Sequence, residues 1–496
     1  MELYKSLFKQ TAIYGIATVL PRMLSFLLVG LYTSTAVLPD RALYGEATIL
    51  FAYMVFFNVV LSYGMETAFF RYYHSEERKS EVVTTSLISI FWTTLIFLST
   101  ALLFRNTLAE YANLEVEYIT TAIWILALDA LVVVPFSKLR AENRPTAYAI
   151  VKIGNVAFNL LLNIFFLVYL PKWASSYSSF QIIYVENYQV GYIFLANLLA
   201  SLATFLVLSP VYLKGKWHFN KNLWIKMTGY ALPILFSGIA FAINEHLDKI
   251  LLEKLLPSSI AKSEVGAYSA CYKLALFMTL YATAFRLGIE PFFFSHAKNK
   301  NAPQTYAKIT KYFVVIGCVI LLGVVVFADI LKIALLRDRS YWEAMKAVPL
   351  ILLANFFLGI YTNLSIWYKL TDRTNMGAWI SFIGAAITLL LNFSLIPLFE
   401  KTGKDGYMGS AIATVAAYAT MMIISYVLGK KHYPIPYETG KVMLYLFTAV
   451  VFSGAAFYVF REQYFVTLPL FGFFLAIVYY NEKADFDKIL KSNLSK

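Results

Sequence analysis

The 496-residue sequence predicts an all-α polytopic membrane protein of about fourteen transmembrane helices, two six-helix lobes in a parallel pseudo-two-fold repeat plus two C-terminal helices. Three observations predict it. First, 59% of the residues are apolar, 17% aromatic and 14% charged, against about 45–50% apolar and about 25% charged in soluble domains. Second, apolar stretches recur along the whole chain with no long polar segment between them, which excludes a string of soluble domains of ~150 residues each. Third, the two halves of the chain echo one another.

A hydrocarbon core about 30 Å thick is crossed by about 20 apolar helical residues. On that ruler six spans fall near 11–33, 47–70, 82–104, 118–137, 149–170 and 191–213. Eight more follow near 229–252, 265–290, 312–331, 348–368, 376–398, 409–429, 442–460 and 467–480, the last being the shortest. Continuous apolar runs of this kind, rather than short alternating segments, disfavour a β-barrel. The first run follows Lys5 and Lys9 and has no small-x-small cleavage site, so it is expected to be a retained helix and not a signal peptide.

The net charge of +13 is spread over the loops, and no nucleic-acid partner is expected from it. With the amino terminus inside and Lys152 counted with the loop before it, 26 Lys and Arg fall on the cytoplasmic side and 12 on the other. The positive-inside rule then places both termini in the cytoplasm. The longest loop, 171–190, leaves no room for a soluble catalytic domain, so no enzyme is expected. There is no phosphate loop ending in Gly-Lys-Ser/Thr and no His-Glu-x-x-His. Cys271 and Cys318 both lie in apolar runs and offer neither a disulfide framework nor a thiolate metal site, so no cofactor is expected.

Gly64-x-Glu66-x-x-Phe69-Phe70 recurs as Gly288-x-Glu290-x-x-Phe293-Phe294. Lys138-Leu139, Ile153-Gly154 and Leu160-Leu-Leu-Asn163 recur as Lys369-Leu370, Ile383-Gly384 and Leu389-Leu-Leu-Asn392. Both echoes imply a displacement of six spans, an even number, so the copies share one orientation and are related by an axis along the membrane normal. The expected domains are a six-helix lobe over 1–220, a second over 221–435, and two additional helices with a cytoplasmic tail over 436–496.

Several strings carry a family likeness. They are Arg22 in the first span, Tyr44-Gly45-Glu46, Gly64-Met-Glu-Thr-Ala-Phe-Phe-Arg71, Leu139-Arg140-Ala-Glu-Asn-Arg144, Tyr230-Ala-Leu-Pro233 and Leu287-Gly-Ile-Glu290-Pro291-Phe-Phe-Phe. With six plus six plus two spans, the chain resembles the polysaccharide exporters of the multidrug/oligosaccharidyl-lipid/polysaccharide superfamily, O-antigen flippases in particular. The resemblance implies a multi-pass protein of the bacterial inner membrane. It would flip an undecaprenyl-diphosphate-linked oligosaccharide by alternating access, for surface polysaccharide or lipopolysaccharide synthesis. The lipid-linked oligosaccharide and membrane lipids are the implied partners, with a polysaccharide polymerase alongside. A lipid II flippase, a cation-coupled multidrug exporter and a membrane glycan polymerase stay open as alternatives. Lipid II flippases tend to carry Arg-x-x-Gly-x-x-Arg-Asp in the first span, whereas here Arg22 is followed by Ser25, Leu28 and Val29.

An arginine at a helix centre is unfavourable by about 3 kcal/mol, so one that is kept faces protein or water. Arg22 shares a helical stripe with Gly15, Thr18 and Ser25. It is a candidate to hold a diphosphate with its planar fork, the alternative being a structural ion pair. Lys152, Asn155, Asn159 and Asn163 form a polar stripe on the fifth span, which either lines the cavity or bonds a neighbouring helix. The seventh span groups Asn244, Glu245, His246, Asp248 and Lys249. Spacing there predicts a Glu245–Lys249 pair and an Asn244–Asp248 couple, with Asp248 the candidate proton or sodium site. Arg286 and Glu290, four apart on the eighth span, are expected to neutralise one another. The substrate-binding candidates are therefore Arg22, Lys152, Asn155, Asn159 and Arg286, and the ion-coupling candidates Asp248, Asn244 and Glu290. Asp129 in the fourth span has no partner that the sequence names. Without a nucleotide-hydrolysing motif, the drive for transport is an ion gradient, the membrane potential or consumption of the product.

Overall fold

The computed structural model describes residues 2–213, 217–297 and 299–494, which form helices and turns with no strand among them. The helices are α1 (Glu2–Tyr32), α2 (Arg41–Ser75), α3 (Lys79–Leu103), α4 (Val116–Ala141), α5 (Pro145–Ala174), α6 (Gln189–Leu213) and α7 (Lys221–Leu255). The eighth, α8, runs through Ser258–Tyr272, a 3-10 turn at Lys273–Ala275, and Leu276–His296. Then come α9 (Ala302–Val326), α10 (Arg339–Leu370), α11 (Thr374–Lys401), α12 (Gly406–His432), α13 (Thr439–Val459) and α14 (Tyr464–Leu494).

Among the described residues thirteen of these helices are long and apolar enough to cross a membrane. The expected fourteenth is α8, divided by its 3-10 turn and carrying Lys273, Arg286 and Glu290. The last span, short by sequence, is apolar over Tyr464–Lys483.

Local chemistry sets the helix ends. Asp40 caps α2 by accepting from the Ala42 amide at 2.8 Å, and Asn220 caps α7 by accepting from Leu223 at 3.1 Å. Pro145 occupies the first turn of α5, where its missing N–H is no loss. Tyr63 and Gly64 are both left-handed (φ 33° and 74°) and bend α2 there. A side chain on Gly64 would also meet the Ala231 carbonyl oxygen at 2.5 Å.

The chain packs as two units. One takes in everything up to Ala270, with Arg337–Tyr341 and Ala385–Ser410; the other takes in Cys271–Leu336, Trp342–Gly384 and everything from Ala411. Lipid tails are as apolar as leucine, so helices in a membrane associate by close approach and hydrogen bonds, not by hydrophobic gain. In the first unit α2 meets the start of α8 at two glycines. A Cβ on Gly45 would lie 1.8 Å from the Lys262 carbonyl oxygen, and one on Gly266 2.2 Å from that of Arg41. Polar side chains brace this crossing. Arg41 Nε donates to Ser263 Oγ at 2.5 Å and Nη1 to the Ser340 carbonyl at 2.6 Å, with Glu264 at 3.6 Å, and Lys262 Nζ donates to Glu46 at 2.5 Å.

In the second unit a buried ionic network ties α13 and α14 to α9. Lys311 lies 2.6 Å from Glu482 and 3.1 Å from Glu438, and Glu482 also accepts from Lys441 at 3.2 Å and Tyr445 at 2.8 Å. Lys311 and Glu482 are each only 2% exposed. Breaking such a pair from one side strands a buried charge, at about 3–5 kcal/mol. We expect Lys311→Met to lower the melting temperature of the purified protein markedly, and Lys311→Met with Glu482→Gln to recover part of the loss.

Another cluster joins the short helix after α9, Ala328–Leu335, to the turn between α13 and α14. Asp329 accepts from Arg461 at 2.9 Å and from Lys332, whose ammonium also lies 3.2 Å from Glu462. Burial opposes ionisation of Asp329, yet the Arg461 guanidinium and the Lys332 ammonium outweigh it and hold the carboxyl below its ordinary value. A lowered carboxyl contributes stability that is present above its unfolded-state value and is lost as pH falls through the folded one. Acidification should therefore destabilise the wild type more than Asp329→Asn, as read from melting temperatures across an acid series.

Candidate functional site

In the first unit, Arg22 lies half-buried on α1, one turn beyond Thr18 and directly after Pro21. Helix α1 is tied to α5 by Tyr32, whose hydroxyl donates to Asn163 Oδ1 at 2.8 Å. The α5 stripe divides by role. Asn163 Nδ2 donates back to the Asn159 carbonyl at 2.9 Å and to its side-chain oxygen at 2.6 Å, and Asn155 donates to Thr204 Oγ1 on α6 at 2.9 Å. Asn155 and Asn163 thus join α5 to its neighbours, Asn159 bonds to Asn163, and Lys152 is exposed, its ammonium 4.9 Å from the centre of the Phe136 ring.

In the α7 group Asn244, Asp248 and Lys249 are buried. Asp248 accepts from Lys249 Nζ at 2.8 Å and from the Tyr268 hydroxyl at 3.1 Å, and Asn244 Oδ1 accepts from Thr388 on α11 at 2.9 Å. Asn244 and Asp248 each bond outside the couple expected of them. Tyr268 and Thr388 are members that spacing along α7 could not reveal, because they come from α8 and α11. Asp129, without a partner in the sequence, accepts from Ser201 at 2.7 Å.

In the second unit, Arg286 and Glu290 line one cleft of about 320 Å³, with Phe285, Asn363, Thr362 and Lys369. Glu290 pairs with Lys369 at 2.6 Å rather than with Arg286, which makes no ion pair among the described residues. The first unit holds the counterpart: Glu66, at the position of Glu290 in the repeated string, pairs with Arg140. Asn392 matches Asn163 in the same way. Both are wholly buried, donate to the backbone or side chain four residues earlier, and accept a hydroxyl from a neighbouring helix, Ser410 for Asn392.

No group of three or more His, Cys, Asp or Glu that could hold a metal ion occurs among the described residues. Cys271 and Cys318 are buried free thiols.

The described residues form a multi-helix membrane protein with cations and amides inside its spans. Residues 7–296 match the polysaccharide biosynthesis protein family, and the chain belongs to that family. Comparison with curated proteins by sequence finds no match. Among solved structures, the chain is similar to the lipid II flippase MurJ in an inward closed conformation. The TM-score is 0.74 at 13% identity, over 95% of this chain and 99% of that one. It is also similar to a multidrug resistance MATE family transporter of the MOP superfamily in an inward-facing conformation, with a TM-score of 0.65 at 13% identity over 83% and 94%. An outward-facing MATE transporter gives 0.58 at 15% identity over 86% and 95%. These likenesses show the fold.

The Glu290–Lys369 pair admits a direct check. Glu290→Lys should lower the amount of protein in the membrane by placing two cations together, and Glu290→Lys with Lys369→Glu should restore it, as read by immunoblot of membrane fractions.

Proposed function

We propose that the protein carries a lipid-linked oligosaccharide, an undecaprenyl-diphosphate glycan, from the cytoplasmic to the outer leaflet of the bacterial inner membrane by alternating access. Surface polysaccharide or lipopolysaccharide synthesis would use the product. The observation that carries the reading is membership of the polysaccharide biosynthesis family in a chain that is almost entirely membrane-spanning helix. A polar, doubly charged head on a long apolar tail needs a shielded polar path beside open lipid. Two six-helix lobes, 1–220 and 221–435, would supply that path between them, with the helices of 436–496 outside.

In this reading Arg22 and Arg286 offset the diphosphate, and Lys152, Asn155 and Asn159 supply the polar lining. Guanidinium groups suit the task, since their fork meets two phosphate oxygens at once. Asp248, Asn244 and Glu290 are assigned to ion coupling. Both termini lie in the cytoplasm, and a polysaccharide polymerase takes over the delivered unit. With about 2.3 kcal/mol available per charge per 100 mV, the membrane potential is large enough to bias reorientation of a cationic path.

Deletion of the gene should trap the lipid-linked oligosaccharide on the cytoplasmic leaflet and leave drug sensitivity unchanged. Raised drug sensitivity with normal glycan intermediates would overturn the proposal in favour of multidrug export. Arg22→Ala, expressed to the wild-type level, should abolish most of the translocation, while Arg22→Lys keeps part of it because charge survives without the fork. Full activity of the Ala variant would remove Arg22 from the head-group site.

A further inference from the structure

We infer that Asp129 is a proton-binding site within the first unit, a carboxyl that takes a proton from hydronium and returns it to water. It deepens the transport reading by naming a group on which a proton drive would act, but it is read without transport. Asp129 lies about halfway along α4, and its neighbour Ser201 lies about halfway along α6. Ser201 Oγ donates to Asp129 Oδ1 at 2.7 Å.

What sets this acid apart is the absence of a counter-ion. Glu46, Glu66, Asp248, Glu264, Glu290 and Glu482 each have a Lys or Arg within 3.6 Å. Asp129 has none among the described residues. The charged residues of α2 are Arg41, Glu46, Glu66 and Arg71, those of α3 are Lys79 and Glu81, and those of α4 itself are Glu117, Lys138 and Arg140, all toward helix ends. Helix α6 carries no charged residue. The charged residues of α5 are Lys152, whose ammonium sits over Phe136, and Lys172 at the far end of the helix.

The partner of the carboxyl is ambivalent. A serine hydroxyl donates to a carboxylate or accepts from a carboxylic acid by rotating. The ionised and the neutral acid are therefore both met without moving a helix. A carboxylate locked by an arginine, such as Asp329 by Arg461, lacks that freedom.

The test is infrared difference spectroscopy of the purified full-length protein in lipid vesicles, between mildly acidic and mildly alkaline buffer. We expect a protonated-carboxyl band that bleaches with rising pH and loses one carboxyl's amplitude in Asp129→Asn. In Ser201→Ala that component should persist to higher pH, since the change removes the hydroxyl that donates to the anion. This variant keeps the inference falsifiable where Asp129→Asn does not fold. An unchanged band in Asp129→Asn, or an unmoved midpoint in Ser201→Ala, would overturn it. Loss of glycan translocation in any variant bears on the transport reading alone.

Discussion

A charge carried on a helix through hydrocarbon has to meet an opposite charge, a set of dipoles or water, and this single constraint accounts for most of the polar contacts in the molecule. Lys311 and Glu482 could be nearly closed to solvent because Glu438, Lys441 and Tyr445 complete the set around them. Taking both ions out of water is expensive, so the network adds little as a net attraction. Its force lies in making any arrangement with one member missing far worse. The consequence is specificity: α13 and α14, which stand outside the internal repeat, have one place to sit against α9.

The repeat is preserved as interactions more than as residues. Glu66 finds an arginine and Glu290 a lysine, contributed from different offsets of the repeated segment. Arg140 also stacks its guanidinium 4.7 Å from the centre of the Phe70 ring, a contact that a lysine would make less well. Asn163 and Asn392 both pair backward along their own helix and sideways to a hydroxyl, though one hydroxyl is tyrosine and the other serine. Duplicated helices keep the need for a partner, while the partner itself drifts to whatever neighbouring helix can reach.

That drift explains what could be read from the chain. Helix positions were legible because hydrocarbon thickness is a one-dimensional constraint that every span must meet separately, and even the short last span satisfies it. The exception, α8, follows from a 3-10 turn at Lys273 that apolar periodicity does not record. Pairings were far less legible. Spacing of four residues identifies neighbours on one helix, which led to Arg286 with Glu290, but side chains on other helices compete for the same groups. Lys369, Tyr268 and Thr388 win such competitions from α10, α8 and α11, and nothing in their local sequence marks them as doing so. The Tyr44-Gly45-Glu46 string was visible as a motif without a task. Packing supplies one, since Gly45 admits the backbone of α8 and Glu46 holds Lys262.

A sharper asymmetry remains between the signs of charge. Most acids within the helices are matched by a cation, and Asp129 is supported by a neutral hydroxyl that serves either of its forms. Among the cations, Arg286 and Lys152 have no carboxylate partner among the described residues. Arg286 faces a cleft that it shares with an already neutralised Glu290–Lys369 pair, so the cleft keeps a net positive charge. A guanidinium cannot shed its proton to relieve the cost of that position, because its affinity for the proton is too high. It can be relieved only by water or by an anion that enters. In the proposed reading, the diphosphate of a lipid-linked head group is such an anion.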